Sequence, residues 1–192
     1  MAIEIELKAR VDDPEKVRNL LASLGNYRCG YLKKDSYWTF PEKDAARIRI
    51  RNELKTFPTG KHEQIIMVNC KRRELCDEIE VNNEQEFSIS DAESFEEILV
   101  QMGMVPDIKK EKQGWVWEFK NENENAPLFA ELSEVKGLGW FLELEIINKT
   151  REDSIIEENR SRLLELLEKL GIDRAKLETR PYSELIRTIN NQ

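Results

Sequence analysis

The chain sets its formal charges in alternation with aliphatic residues, a pattern suited to holding a polyanion and its counter-cations. Ile3-Glu4-Ile5-Glu6-Leu7-Lys8 opens it, three charged side chains interleaved with three apolar ones. In a β-strand alternate side chains point to opposite faces, so Glu4, Glu6 and Lys8 share one face and Ile3, Ile5 and Leu7 the other. Two carboxylates about 7 Å apart, with a lysine one step beyond, can cradle a divalent cation and an anion. The pattern recurs. Arg47, Arg49 and Arg51 alternate with Ile48 and Ile50, Glu78 and Glu80 with Ile79 and Val81, and Glu143 and Glu145 with Leu142, Leu144 and Ile146. Lys71 ends the run 65–70, and Lys110 and Lys112 precede the apolar alternation Trp115, Trp117, Phe119.

A half-buried sheet with its charged face in water explains any one of these strands. It does not explain the set. Acids gather on some segments and bases on others, with few Ser, Thr or Gln between them. If helices cover the apolar faces, the charges line an interior, where each unpaired ion costs several kcal/mol. A bound polyanion with metal ions offsets that cost: Arg and Lys for phosphate oxygens, carboxylates for the cations. The pattern therefore predicts a polar tunnel.

The elements that must position these residues follow from periodicity. Residues 2–10 read as a strand. Asp13-Pro14 starts a helix, with Asp13 as N-cap and Pro14 at the first helical position; Val17, Leu20, Leu21 and Leu24 repeat at helical spacing and Gly25 stops the run. Residues 27–40, 46–52, 64–72 and 78–89 read as strands between polar turns. A second helix from Ser90 or Asp91 to about Met102 turns Phe95, Ile98 and Leu99 inward. Strands follow at 108–120, 128–135 and 140–147, then a helix over 152–170 closed by Gly171 and a short one from Ser183. About eight strands, mostly consecutive, with helices outside suggest an α+β antiparallel barrel or a sandwich. No repeat or linker divides the chain, so residues 1–192 read as a single domain.

The totals narrow the function. Of 192 residues 40% are hydrophobic and 35% charged, and 30 basic against 38 acidic residues leave a net charge of −8. Neither nucleic acid nor an anionic membrane is invited by the surface as a whole. Nor do the aromatics support single-stranded nucleic-acid binding, because Trp115, Trp117 and Phe119 fall on the apolar parity. Residues after Met1 show no basic or apolar leader and no apolar run near 18 residues, and three cysteines without CxxC spacing suit reduced thiols. The expected location is cytoplasmic, with neither disulfide framework nor zinc site.

These residues also resemble a known family. Glu4-x-Glu6-x-Lys8 is similar to the ExExK signature of the CYTH family, the triphosphate tunnel metalloenzymes. Glu134-Val-Lys-Gly-Leu-Gly-Trp-Phe-Leu-Glu143-Leu-Glu145 resembles its later acidic block, and Arg47-Ile-Arg49, Lys71, Glu78-Ile-Glu80 and Lys110-x-Lys112 fall between in order. The ending Pro181-Tyr182-Ser183-Glu184-Leu185-Ile186 looks most like the class IV adenylate cyclase branch. The resemblance implies an eight-stranded antiparallel tunnel holding a triphosphate with Mg²⁺ or Mn²⁺. Glu4, Glu6, Glu134, Glu143 and Glu145 would bind metal; Lys8, Arg47, Arg49, Lys71, Lys110 and Lys112 would bind phosphate oxygens; Glu78 and Glu80 would be further tunnel acids. Catalysis would rest on Glu4, Glu6, Lys8, Lys110 and Glu134. Lys112 stands where the family often has Arg and lacks the bidentate fork that suits phosphate.

The implied reaction is cyclisation of ATP to 3′,5′-cyclic AMP and pyrophosphate. The alternatives are hydrolysis of inorganic, thiamine or nucleoside triphosphate, and a barrel that binds a polyphosphate or nucleotide without turning it over. The partner is a small-molecule triphosphate, and a homodimer is compatible with the sequence. His62, in a turn, reads as an exposed loop residue rather than an acid–base catalyst. Arg51 continues the basic parity toward the tunnel rim, and Tyr182 reads as the anchor of a docking helix.

Overall fold

The computed structural model describes residues 3–42, 47–76, 79–120, 126–148 and 152–190, with side chains left out of the description over 71–84 and at 190. Eight strands run β1 (Ile3–Arg10), β2 (Asn26–Thr39), β3 (Arg47–Thr56), β4 (His62–Cys76), β5 (Ile79–Ile89), β6 (Val105–Phe119), β7 (Leu128–Val135) and β8 (Gly139–Asn148). Every neighbouring pair is antiparallel, and the order β1-β5-β4-β3-β2-β6-β7-β8 closes on itself. Two meanders, β2 to β5 and β6 to β8, are joined through β2–β6 and bridged by β1. Of barrel and sandwich, the chain forms the barrel. Closure removes the sheet edges that an open sheet would expose.

The strands are longer than the alternation alone marks, because polar residues continue the pairing: β3 reaches Thr56 and β4 begins at His62, joined by a turn in which Phe57 N–H donates to the Lys61 carbonyl at 2.9 Å. His62 thus opens a strand, its ring nitrogen 3.0 Å from the Thr56 hydroxyl. Between β7 and β8 the turn is tight, and Gly137 and Gly139 take φ of +81° and +91°, which a residue with a Cβ adopts only at a cost.

Helices α1 (Pro14–Leu24) and α3 (Asp153–Lys169) cover the outer faces of β1, β7 and β8. Ile5, Leu7, Ala130, Leu132, Leu142, Leu144 and Ile146 meet Leu21, Leu163 and Leu167 there, all almost wholly shielded. Each large aliphatic in that layer contributes about 1.5–3 kcal/mol by leaving water. Asp13 caps α1 by accepting from Lys16 N–H at 3.0 Å. Gly25 ends it in extended conformation rather than a left-handed one; a Cβ there would lie 2.7 Å from the Phe119 ring.

Helix α2 (Ala92–Gln101) covers the opposite wall, seating Leu99 over Trp38, Ile50 and Val68. Ile98, expected inward, is instead 49% exposed. A ten-residue helix on a curved barrel presents one narrow stripe, and Leu99 with Phe95 fills it. Helix α4 (Tyr182–Asn190) is different in kind: Tyr182 and Leu185 pack on Val135 and Phe141, which share the parity of the charged residues of β7 and β8. It therefore closes on the inner face. Among the described residues no helix is long and apolar enough to cross a membrane.

Candidate active site: a charged tunnel

The inner parity of the barrel encloses a cavity of about 740 Å³. Its wall includes Glu4, Glu6 and Lys8 from β1, Arg47, Arg49 and Arg51 from β3, Lys110 and Lys112 from β6, and Glu143 and Glu145 from β8. Strand register explains the gathering. Glu6 lies opposite Glu145, and Lys8 opposite Glu143, across β1 and β8. Arg49 pairs with Tyr37, and Arg51 with Asp35, across β3 and β2. Lys71 and Glu80 have their backbones in β4 and β5, but their side chains, and Glu78 altogether, lie outside the described residues.

Glu134 requires a correction. It is on the other face of β7, where its carboxylate accepts from the Gln113 amide at 3.1 Å and borders an outer groove with Trp115 and Trp140. Alternation decides this: Glu134 has the parity of Ala130 and Leu132, which are sealed beneath the helices. The acid that β7 turns inward is Glu131. Its carboxylate meets Lys33 Nζ at 2.6 Å, Lys112 Nζ at 2.9 Å and the Tyr31 hydroxyl at 3.0 Å. The spacing Leu128, Ala130, Leu132 pointed to Glu131, whereas the resemblance selected Glu134.

Among the described residues two ionic clusters stand out in the wall, and the sequence marks neither in full. In the first, Asp35 is 3% exposed and accepts from Arg51 Nε at 2.8 Å and Nη2 at 3.0 Å, with Lys110 Nζ 2.9 Å away. Burial opposes the charge of Asp35, but Lys110 and Arg51 overcome it and hold the pKa well below the carboxylate range. Arg51 is thus part of the wall rather than its rim. In the second, Lys112 bridges Glu131 and Glu143, and Lys33 joins Glu131 to Glu53, the latter at 3.7 Å. Burial raises the pKa of Glu131 and its two lysines more than reverse that, keeping it ionised.

Tyr182 ties α4 to this interior. Lys8 Nζ sits 4.6 Å from its ring centre and Lys110 Nζ 5.0 Å, within the range of cation–π attraction. Lys8 also donates to the Arg180 carbonyl at 2.7 Å. The segment leading into α4 runs beside β1: Glu178 N–H donates to the Lys8 carbonyl at 2.8 Å, and Leu177 bridges to Ala9. Among the described residues β1 pairs with β5 as far as Glu6, and this strap occupies the edge of β1 beyond it. At the mouth, Arg47 reaches the Ser183 hydroxyl at 3.4 Å and Asp107 at 3.4 Å.

Carboxylate oxygens are the donors a hard divalent cation prefers. Glu4, Glu6 and Glu145 line one side of the cavity on the adjoining strands β1 and β8 and fit such an ion. Glu143 is engaged by Lys112, and among the described residues no three acidic, His or Cys side chains are drawn together as an assembled metal site. The carboxylates are set side by side rather than converged.

The sequence model of the CYTH domain matches residues 2–182. A Methanocaldococcus jannaschii protein named as a candidate adenylate cyclase is 31% identical over 194 residues, covering 95% of this chain and 98% of that protein. A solved structure from Pyrococcus horikoshii superposes with TM-score 0.77 at 23% identity, covering 96% of this chain and 98% of its own. A candidate adenylyl cyclase from Hippeastrum, reported to have a dominant triphosphatase activity, superposes with TM-score 0.62 at 16% identity, covering 94% and 91%. At such identities the two structures speak for the fold.

Proposed function

The chain belongs to the CYTH domain family, and from that premise we propose that it binds the triphosphate of ATP in its tunnel and converts ATP to 3′,5′-cyclic AMP and pyrophosphate. The observation that carries the reading is the opposition, inside one closed barrel, of a carboxylate side on β1 and β8 (Glu4, Glu6, Glu145) and a basic side on β3 and β6 (Arg47, Arg49, Lys110), with Lys8 of β1 beside the carboxylates. The name of the relative from M. jannaschii supports the choice of reaction.

In this reading the ATP ribose 3′-hydroxyl attacks the α-phosphorus and pyrophosphate departs. Lys8, Arg47, Arg49 and Lys110 bind the phosphate oxygens and align the chain for in-line attack. Negative charge spreads onto the departing pyrophosphate, and the same cations stabilise it in a wall that needs no reorganisation. Asp35 and Glu131 hold Lys110 and Lys112 in position from behind. Glu4, Glu6 and Glu145 would hold Mg²⁺ or Mn²⁺, whose Lewis acidity lowers the pKa of a bound hydroxyl and neutralises phosphate charge. Tyr182 packs over the Lys8 and Lys110 ammonium groups and limits water at that end.

A second reading has a specific support. The same wall serves a water attacking the terminal phosphorus, and the Hippeastrum neighbour is reported as predominantly a triphosphatase. Product analysis separates them: purified protein with Mg²⁺ or Mn²⁺ is given ATP, inorganic triphosphate and thiamine triphosphate. Cyclic AMP with stoichiometric pyrophosphate is expected. Orthophosphate without cyclic AMP would make the protein a tunnel triphosphatase, and no turnover of any of the three would leave a binding barrel.

A further inference from the structure

The tunnel wall is not charged throughout. On its inner parity β6 turns from Lys110 and Lys112 to Val116, β7 from Glu131 to Phe129, and β8 from Glu143 and Glu145 to Ile147; all three apolar side chains line the same cavity as the ions. They occupy three consecutive strands of the barrel. Register brings Phe129 opposite Glu145 and Ile147 opposite Glu4, so the apolar patch adjoins the carboxylates fitted for metal. Tyr182 and Lys8 lie toward the other end, where Lys8 pairs with Glu143.

These side chains do not build the core. Among the described residues Val116, Phe129 and Ile147 belong to none of the apolar clusters that support the helices, and Ile147 is 47% exposed although it faces the cavity. Val116 and Phe129 are half-buried, so part of this apolar surface beside the carboxylates is still uncovered in the folded chain. It gains when an apolar group covers it. An inorganic polyphosphate has no such group, whereas a triphosphate ester carries one at a fixed distance from its charges.

We infer that Val116, Phe129 and Ile147 form a subsite for the organic group of a triphosphate ester, so that the tunnel selects organic triphosphates over inorganic triphosphate. This rests on the triphosphate reading of the charged wall and adds the end of the cavity at which the organic group lies. Covering the patch is worth about tenfold in affinity, the effect of about 1.4 kcal/mol.

The test is isothermal titration in Mg²⁺ with α,β-methylene ATP and with inorganic triphosphate, on the wild type, Ile147→Ser, Phe129→Ser and the conservative Ile147→Leu. Unfolding midpoints check the fold of each, and Ile147, being half exposed, is the safer site. The expected result is a loss of about tenfold for the ATP analogue in both serine variants, recovery in Ile147→Leu, and unchanged binding of inorganic triphosphate. Equal losses for both ligands, or no loss for either, would overturn the subsite while leaving the charged wall intact. Wild-type protein that binds neither ligand would overturn the triphosphate reading, and the subsite with it.

Discussion

The two faces of β7 and β8 are built from alternate residues of the same strands and obey opposite rules. Outward, Ala130, Leu132, Leu142 and Leu144 are sealed beneath α1 and α3 and gain by excluding water. Inward, Glu131, Glu143 and Glu145 stand in a cavity where each charge must be answered by a lysine, a metal or a ligand. Stability and chemistry are thus divided by parity rather than by region, one residue apart. Glu131 and Glu134 make the point within four residues: one holds two buried lysines, the other meets Gln113 outside the barrel.

The largest effect should come from the outer face. Leu132→Ala removes a fully buried side chain and should cost about 2–5 kcal/mol in urea unfolding, with turnover per folded molecule unchanged. A matching loss of turnover would mean that the two faces are mechanically one.

Glu131→Gln should follow. It leaves Lys33 and Lys112 without their shared carboxylate, for about 3 kcal/mol of stability, and turnover should fall as well. Glu134→Gln, on the half-buried outer side, should change either property by less than about 0.5 kcal/mol. Similar behaviour of the two variants would dissolve the distinction between the faces.

A smaller effect belongs to the strap beside β1. Arg180 and Arg10 hold the Glu178 carboxyl down at about 2, against its partial burial. A carboxyl depressed in the folded state stabilises above its unfolded pKa, near 4.5, and that contribution fades as pH falls toward 2. The wild type should therefore be more stable than Glu178→Gln at pH 6, by about 1 kcal/mol or less given the exposed arginines, and equal to it near pH 2. Unfolding series across that range check it, and a difference that persists at pH 2 would assign Glu178 a packing role.

Much of this was legible because β1, β3 and β8 alternate cleanly. Ile5 and Leu7 under the helices, Glu4 and Glu6 in the cavity, and Trp117 on the outer parity all follow from period two. Strand β2 hid its share. Lys34 and Ser36 sit on the outer parity, with Ser36 donating to Glu96 of α2 at 2.8 Å, so no apolar alternation flagged Lys33 and Asp35 as inward. Register shifts at Tyr27/Cys29 and Ser36/Trp38 blur it further. Arg51 was visible by type, but its pairing depends on Asp35 across a strand boundary that composition does not show. The Glu134 correction is a motif overriding a parity that was already readable from Ala130 and Leu132.

Whether the inner carboxylates of β1 do chemistry or hold the fold is decided by Glu6→Gln. Metal-dependent turnover of ATP is measured for this variant and the wild type at matched folded fraction, with urea unfolding of both. A fall in rate of more than about a hundredfold is expected, on the order of one lost electrostatic contact to the transition state, with stability changed by less than about 1 kcal/mol. A near-wild-type rate in a well-folded Glu6→Gln protein would contradict it.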